Sequence, residues 1–181
     1  MRTKSDEKRQ AILDVAAEVF REAGFERASM SEICARVGGS KATLYNYFPS
    51  KEELFFEVMF LSTEAEFEAT HKALDPTTED IGASLKNFGE RFLTLLCSPE
   101  VLAVRRLIVA ESGRSELGRL CYTRGPKRSQ AEVSRFLASA MAQGRLRQAD
   151  PLVATLHLRG LLEAELLDRF FFQVDDAVSK K

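Results

Sequence analysis

The sequence has no tryptophan, two histidines and three cysteines, and only ten glycines and five prolines in 181 residues. Each scarcity excludes something. So few turn formers cannot punctuate an all-β sandwich of this length, whose short strands need frequent glycine and proline turns. His71 and His157 stand far apart in the chain and offer no metal-ligand spacing. Cys34, Cys97 and Cys121 are an odd set without a CxxC pair, so no disulfide framework is written here. All three fall in helical apolar patterns, where a thiol behaves as a small buried hydrophobe, a usage natural to a reducing compartment. No GxSxG elbow, phosphate-binding loop or GxGxxG run occurs. No apolar run approaches the roughly 20 residues of a membrane span, and the polar start leads into an amphipathic stretch, not a signal core. The expectation is a cytoplasmic, non-enzymatic chain with no cofactor, no metal and no membrane partner.

What is present is helical periodicity almost everywhere. Ile12, Val15, Ala16, Val19, Phe20 and Ala23 recur at three- and four-residue steps and share one face of a first helix. Gly24 stops it, and Phe25 follows as an anchor. Ser29 followed by Glu32 reads as a capping box opening a short second helix with Ile33, Cys34 and Val37. Gly38-Gly39 ends that helix, and Ser40 can cap a third through Leu44 and Phe48. Ser50 with Glu53 starts a long fourth helix, over about 50–74, which Asp75-Pro76 breaks. Further helices are expected over 81–96, 101–112, roughly 125–144 and 152–172, with a short one around 115–122. Ser98-Pro99 and Asp150-Pro151 pair a cap with proline at the first helical position. The fold class is all-α.

Charge is unevenly placed. The formal total is −1, which taken alone argues against a nucleic-acid partner. Residues 1–51 carry nine Lys/Arg against seven Asp/Glu, residues 52–104 three against eleven, and residues 105–147 ten against three. The neutral sum hides blocks of opposite sign, with the first block mildly basic. The strongly basic one, including Arg105-Arg106 and Lys127-Arg128, reads as a solvated face complementing its acidic neighbour.

Residues 29–48 have the layout of a helix-turn-helix, two short helices around a Gly-containing turn. In that motif the second helix enters the major groove with its N-terminal residues at the base edges. Here Ser40, Lys41, Ala42, Thr43 and Asn46 are the candidates for base-side contact. Ser29, Tyr45, Tyr47 and Lys51 are candidates for phosphate contact, Lys51 together with the free amides of a helix start. Arg2 and Lys4 would form a flexible basic arm. On physical grounds alone, a two-helix corner fits a plain helical bundle equally well.

The run Gly38-Gly39-Ser40-Lys41-Ala42-Thr43-Leu44-Tyr45-Asn46-Tyr47-Phe48-Pro49-Ser50-Lys51-Glu52-Glu53-Leu54 resembles the DNA-binding signature of TetR-family transcriptional regulators. The resemblance is tight over about the first 60 residues. It extends more loosely to Ala110-Glu111-Ser112 and to Gly144-Arg145-Leu146-Arg147 with Asp150-Pro151-Leu152, which are similar to the AcrR/AefR-like branch. Ala42 stands where many members carry glycine. The resemblance implies a three-helix DNA-binding domain over 1–50 and a helical ligand-binding and dimerisation domain over 51–181. It also implies a homodimer on a palindromic, double-stranded operator, most simply as a repressor released by a small apolar or amphipathic effector. Members usually end in a further dimerisation helix; 174–179 is its only candidate here.

Two features of the second domain bear on those expectations. Leu156, Leu162, Leu166 and Phe170 fill one side of the last long helix, and Leu158, Leu161, Leu167 and Phe171 widen the stripe. A helix apolar round so much of its girth is buried on two sides, by a core and a partner copy or, as a central core helix, within one chain; the partner copy is the favoured reading. Phe67, Phe88, Phe92, Tyr122 and Phe136 can line an apolar pocket, with His71, Glu111 and His157 as its polar groups. Aromatic residues at helical spacing are more often plain core.

Overall fold

The computed structural model describes residues 3–111 and 113–172. The candidate helix at 174–179, Arg2 and Ser112 therefore lie outside the described residues. Nine helices and no strand occur among the described residues, as the periodicity implies: the protein is all-α. The chain separates into two compact units, Met1–Glu64 and Ala65–Lys181, with the division inside the fourth helix.

The first unit contains α1 (Lys4–Arg27), α2 (Met30–Val37), α3 (Lys41–Tyr47) and the first part of α4 (Lys51–Lys72). Thr3 opens α1 with a complete capping box, its hydroxyl accepting from the Asp6 amide while the Asp6 carboxylate accepts from Thr3 N–H. Lys4 is thus the first residue of a helix, not part of a flexible arm. Two orphan amides are satisfied there, and the acidic first turn suits the helix dipole. Gly24 interrupts α1 at φ 74°, a conformation that favours glycine, and one more helical turn follows to Arg27. The interruption re-aims Phe25, whose ring meets Phe55 at 5.0 Å while Phe20 meets Phe55 edge-on at 5.1 Å. Ile12, Ala16, Val19, Ile33, Leu44, Phe48 and Leu54 complete a core in which each is at most 3% exposed.

The second unit contains the rest of α4, then α5 (Ile81–Leu96), α6 (Pro99–Ala110), α7 (Leu117–Arg124), α8 (Pro126–Ala142) and α9 (Pro151–Phe172). Its core gathers Phe88 and Phe92 from α5 with Val133, Phe136, Leu137, Ala140 and Met141 from α8. Leu158 and Leu162 of α9 pack on that cluster half-buried. Pro99, Pro126 and Pro151 each begin a helix, where a missing N–H costs nothing. Ser98 caps α6, and Asp150 Oδ1 accepts from the Leu152 amide at 2.8 Å and the Val153 amide at 3.1 Å.

One expectation is corrected here, and one is met only in part by a single chain. Cys97 is the exposed C-cap of α5 and not a buried thiol; only Cys34 is fully buried, and Cys121 is half-buried. The α9 stripe does not pack all round. Leu166 is buried, but Leu156, Leu161 and Leu167 are 45%, 79% and 46% exposed. Phe170 is half-buried, and the side chain of Phe171 lies outside the described set.

Candidate nucleic-acid interface and ligand cleft

The turn of the first unit is built by caps. Ser29 Oγ accepts from the Glu32 amide at 3.1 Å and starts α2. Gly38, at φ 69°, ends α2, and the buried Cys34 thiol donates to Gly39 O at 3.4 Å. Lys8 Nζ donates to Gly38 O at 2.9 Å, so α1 holds the outside of the turn as Cys34 holds the inside. Ser40 Oγ accepts from the Thr43 amide at 3.1 Å, and lies 2.9 Å from Thr43 Oγ1. The seven-residue α3 then anchors itself through Leu44, 3% exposed, and the following Phe48, 2% exposed. Arg9 stacks its guanidinium 5.0 Å from the Phe48 ring centroid and pairs with Glu57 at 2.8 Å.

With Leu44 facing inward, helical geometry turns Lys41, Ala42, Tyr45 and Asn46 outward, and all four are exposed. They form one arc: a cation, a methyl, a phenol and an amide. Thr43 and Tyr47 sit at its margins, half-buried. The Tyr47 hydroxyl is 3.3 Å from Ser5 Oγ at the start of α1. Lys51 is engaged elsewhere: its ammonium donates to Phe25 O at 2.9 Å and Ala28 O at 3.3 Å, and lies 4.3 Å from the Phe25 ring centroid. Of the nine residues nominated from the sequence, four share the open face of α3. Ser29 and Ser40 are helix caps, and Lys51 ties the end of α1 to the start of α4.

The second unit holds a narrow cleft between α5, α8 and α9, with a cavity volume of only about 10 Å³. Phe88, Phe92, Val133, Leu158 and Leu162 supply its apolar walls; Ser129, Gln130, Thr155 and Arg159 supply its polar groups. Phe88 and Phe92 are stacked with ring centroids 5.3 Å apart. His71 stands behind the cleft wall, its Nε2 2.8 Å from Ser129 Oγ and its Nδ1 2.7 Å from Phe67 O. Phe67 lies over the His71 ring at 4.2 Å, and Phe136 is buried in the neighbouring core. Burial pushes the His71 ring below the ordinary histidine range, and nearby Arg128 lowers it further against the opposing pull of the Phe67 carbonyl and Glu132. Glu111 is the half-buried C-cap of α6, Tyr122 is 48% exposed on α7, and His157 is exposed on α9; none of the three lines the cleft.

The sequence reading missed Ser129, Thr155, Leu158, Arg159 and Leu162. Their signal is in the spacing: Thr155, Leu158, Arg159 and Leu162 follow i, i+3, i+4, i+7 on α9, and Ser129 and Val133 are four apart on α8. In the middle of α9, Glu163, 7% exposed, accepts from Arg159 Nε at 2.6 Å and Arg105 at 3.4 Å. No group of acidic, histidine and cysteine side chains able to hold a metal occurs among the described residues. None of their helices is long and apolar enough to cross a membrane. Burial pushes the Cys121 thiol up, the reverse of what a nucleophile needs.

A capped corner presenting a short helix in this way defines a helix-turn-helix protein. Residues 12–58 match the family described as bacterial regulatory proteins, tetR family, and residues 83–181 match the AefR-like transcriptional repressor, C-terminal domain. The second match alone covers more than half of the chain, which belongs to the TetR family of transcriptional regulators, with an AefR-like C-terminal domain. The HTH-type transcriptional activator FasR of Mycolicibacterium smegmatis is 38% identical over 79 residues, 44% of this chain and 36% of that protein. The HTH-type regulator UidR of Escherichia coli K12 is 41% identical over 64 residues, 35% of this chain and 33% of that one. Such matches span only about a third of the curated relatives' lengths. Solved structures match along nearly all of the chain. A TetR-family regulator from Mesorhizobium loti superimposes with a TM-score of 0.80 at 28% identity, covering 99% of this chain and 90% of its own. The flavonoid-responsive regulator FrrA gives 0.68 at 32% identity, over 96% and 88%.

Proposed function

We propose that the chain binds a palindromic operator as a homodimer, represses transcription there, and is released by a small amphipathic effector held in the second unit. The observation that carries this reading is the open arc of α3. Its backbone is fixed by the Ser40 cap and the Leu44 and Phe48 anchors, while Lys41, Ala42, Tyr45 and Asn46 are exposed on its outer face. Asn46 and Lys41 have the donor and acceptor sets that read base edges, and Tyr45 offers a phenol to a phosphate. Thr43 and Tyr47 flank the arc and join as secondary contacts. Ser29, Ser40 and Lys51 act by holding the helices in position, with their backbone amides and not their side chains nearest the phosphates.

Division of labour follows the sequence division at about residue 50, α4 carrying the signal from 51–181 to 1–50. The repressor sense is favoured by the AefR-like repressor match over 83–181. The likeness to FrrA, 32% identical over 96% of this chain, favours a small-molecule effector. Effector release is a population shift: a ligand that binds better to the spacing unsuited to DNA weakens operator binding by the ratio of its two affinities. Such a regulator works beside the chromosome, in the cytoplasm. For dimerisation, α9 supplies Leu152, Val153, Leu156, Leu161 and Leu167, each at least 45% exposed. Large apolar side chains exposed in such number along one helix support an association surface.

The test is fluorescence anisotropy with DNA from the chain's own promoter region across a salt series. Binding that weakens linearly in log affinity with log salt is expected, since phosphate contacts release counterions. Absence of any salt-sensitive binding to that DNA would leave a helical adaptor that binds only protein as the better reading.

A further inference from the structure

The turn that aims α3 is made of the two residues least able to hold a shape. Gly38 sits at φ 69° and Gly39 at φ 147°, both in the region that favours glycine, and neither has a side chain to pack. Beneath them lies a shallow void of about 10 Å³ bounded by Ile12, Val37 and Leu44, so packing under the turn is incomplete. The helix that follows has seven residues, too few to be stable or to keep a direction without tertiary support. What steadies the turn is a pair of side-chain bonds to its two carbonyls. Cys34 supplies one, to Gly39 O at 3.4 Å, and a thiol is a weak donor. Lys8 supplies the other, to Gly38 O at 2.9 Å, with a full charge behind it.

Lys8 belongs to a row that runs along α3. Ser5, Lys8 and Ile12 follow i, i+3, i+7 on α1 and share one face. Ser5 Oγ lies 3.3 Å from the Tyr47 hydroxyl in the last turn of α3, and Arg9, next to that row, stands 5.0 Å from the ring centroid of Phe48, the C-cap. Lys8 is half-buried and holds the turn in front of α3; a Cβ added at Gly39 would stand 3.9 Å from its Nζ. The first turns of α1 therefore grip both ends of the reading helix. At the N-terminal end, where Lys41 and Ala42 face outward, the grip from α1 is the lysine.

We propose that Lys8 is a positioning residue for operator recognition: its bond to Gly38 O fixes the α2–α3 turn, and with it the angle at which α3 presents Lys41, Ala42, Tyr45 and Asn46. This rests on the reading of α3 as the helix that enters the groove, and adds to it a residue that acts through the turn and not on a base. Direct readout needs those side chains placed at base edges, so a turn that wanders costs specific binding. Binding to any duplex through its phosphates tolerates the same wandering.

The test is fluorescence anisotropy on the full chain with two duplexes of equal length, one from its own promoter region and one of scrambled sequence, over a salt series. Lys8→Met keeps the stem and removes the ammonium. It should narrow the preference for the promoter duplex about fivefold, leaving affinity for the scrambled one and both salt slopes unchanged. Lys8→Arg should recover most of the preference. In the DNA-free chain, amide exchange at Leu44 and Phe48, whose bonds to Ser40 O and Leu44 O close α3, should quicken several-fold in Lys8→Met while that of α1 stays as in the parent. A salt slope shallower by about one, with both duplexes weakened alike, would make Lys8 a phosphate contact and overturn the proposal. An unchanged preference overturns it too, as does a lowered Tm with the preference intact. A parent chain that binds neither duplex sinks the DNA-binding reading, and the exchange rates then decide alone whether Lys8 holds α3. Promoter binding by the parent with no change of exchange in Lys8→Met keeps that reading and sinks the clamp.

Discussion

Lys51 Nζ caps the carbonyl end of α1, donating to Phe25 O at 2.9 Å from a position 4.3 Å over the centroid of the same residue's ring. The lysine comes from the first turn of α4 and the carbonyls from the turn after Gly24, so one cation joins two segments 26 residues apart. A positive charge at a helix C-terminus opposes the dipole there, and the aromatic face beneath it adds cation–π attraction. The orphan carbonyls at the end of α1 are thus satisfied by a residue of the family signature.

It follows that Lys51→Ala acts on stability first. Losing charge-assisted bonds at a half-buried site should cost about 1–2 kcal/mol, lowering the Tm of the chain and raising its susceptibility to proteolysis near residue 25. Operator binding should fall in proportion to the unfolded fraction, with an unchanged salt slope. A variant that keeps its Tm while its log–log salt slope drops by about one would identify Lys51 as a phosphate contact after all.

The two serines make a cleaner separation of cap from contact. Ser29→Ala and Ser40→Ala should each destabilise by about 1 kcal/mol through loss of the N-cap bonds to Glu32 and Thr43. Ser40→Asp should restore stability, since aspartate caps equally well, yet weaken operator binding by placing a negative charge at the N-terminus of α3. Chemical denaturation paired with anisotropy on the same samples checks both halves. Unweakened DNA binding by the aspartate variant would remove this end of α3 from the interface.

Much of this architecture was legible because it is written in local signals. The Ser29, Ser40 and Ser50 caps, the Gly38-Gly39 turn and the prolines at helix starts each act within three residues, and the helices begin where those signals put them. The α1 cap at Thr3 obeys the same rule and was overlooked in favour of the basic residues on either side of it. What could not be read was direction over distance. A lysine four residues past a helix and a lysine on a carbonyl 26 positions back look alike in sequence. So do an aromatic facing a cleft and one facing a core: Phe88, Phe92 and Phe136 share one spacing logic, and only the first two reach the cleft. The polar lining escaped because Ser129 and Thr155 are brought to one cleft by helix packing, which no local signal in the sequence announces.

The exposed leucines of α9 predict a self-association surface. Leu156→Lys, or Leu161→Lys at the most exposed position, should shift the chain from dimer to monomer in sedimentation velocity at micromolar concentration. Each substitution should leave the Tm of the monomer within about 0.5 kcal/mol of the parent in stability, because neither side chain enters the core. Dimers that persist in both variants would place the interface on another face.

His71 gives the second unit a pH dependence whose sign is fixed by burial. The ring's pKa is lowered in the folded chain, so below the ordinary histidine value of about 6.5 the unfolded chain binds a proton that the folded chain resists. The contribution is therefore whole above that value and is lost as pH falls from it toward the depressed folded-state pKa. Protonation would also convert Nε2 into a donor, forcing the Ser129 hydroxyl to turn its proton toward the cleft. His71→Gln, which cannot titrate, should flatten the fall in Tm between about pH 7 and about pH 5 relative to the parent. Glu132 and Arg128, the charged groups acting on the ring, are unchanged in that variant, so the difference between the two curves isolates the histidine. Two superimposable Tm–pH curves would mean that His71 takes up its proton as readily in the folded chain as in the unfolded one.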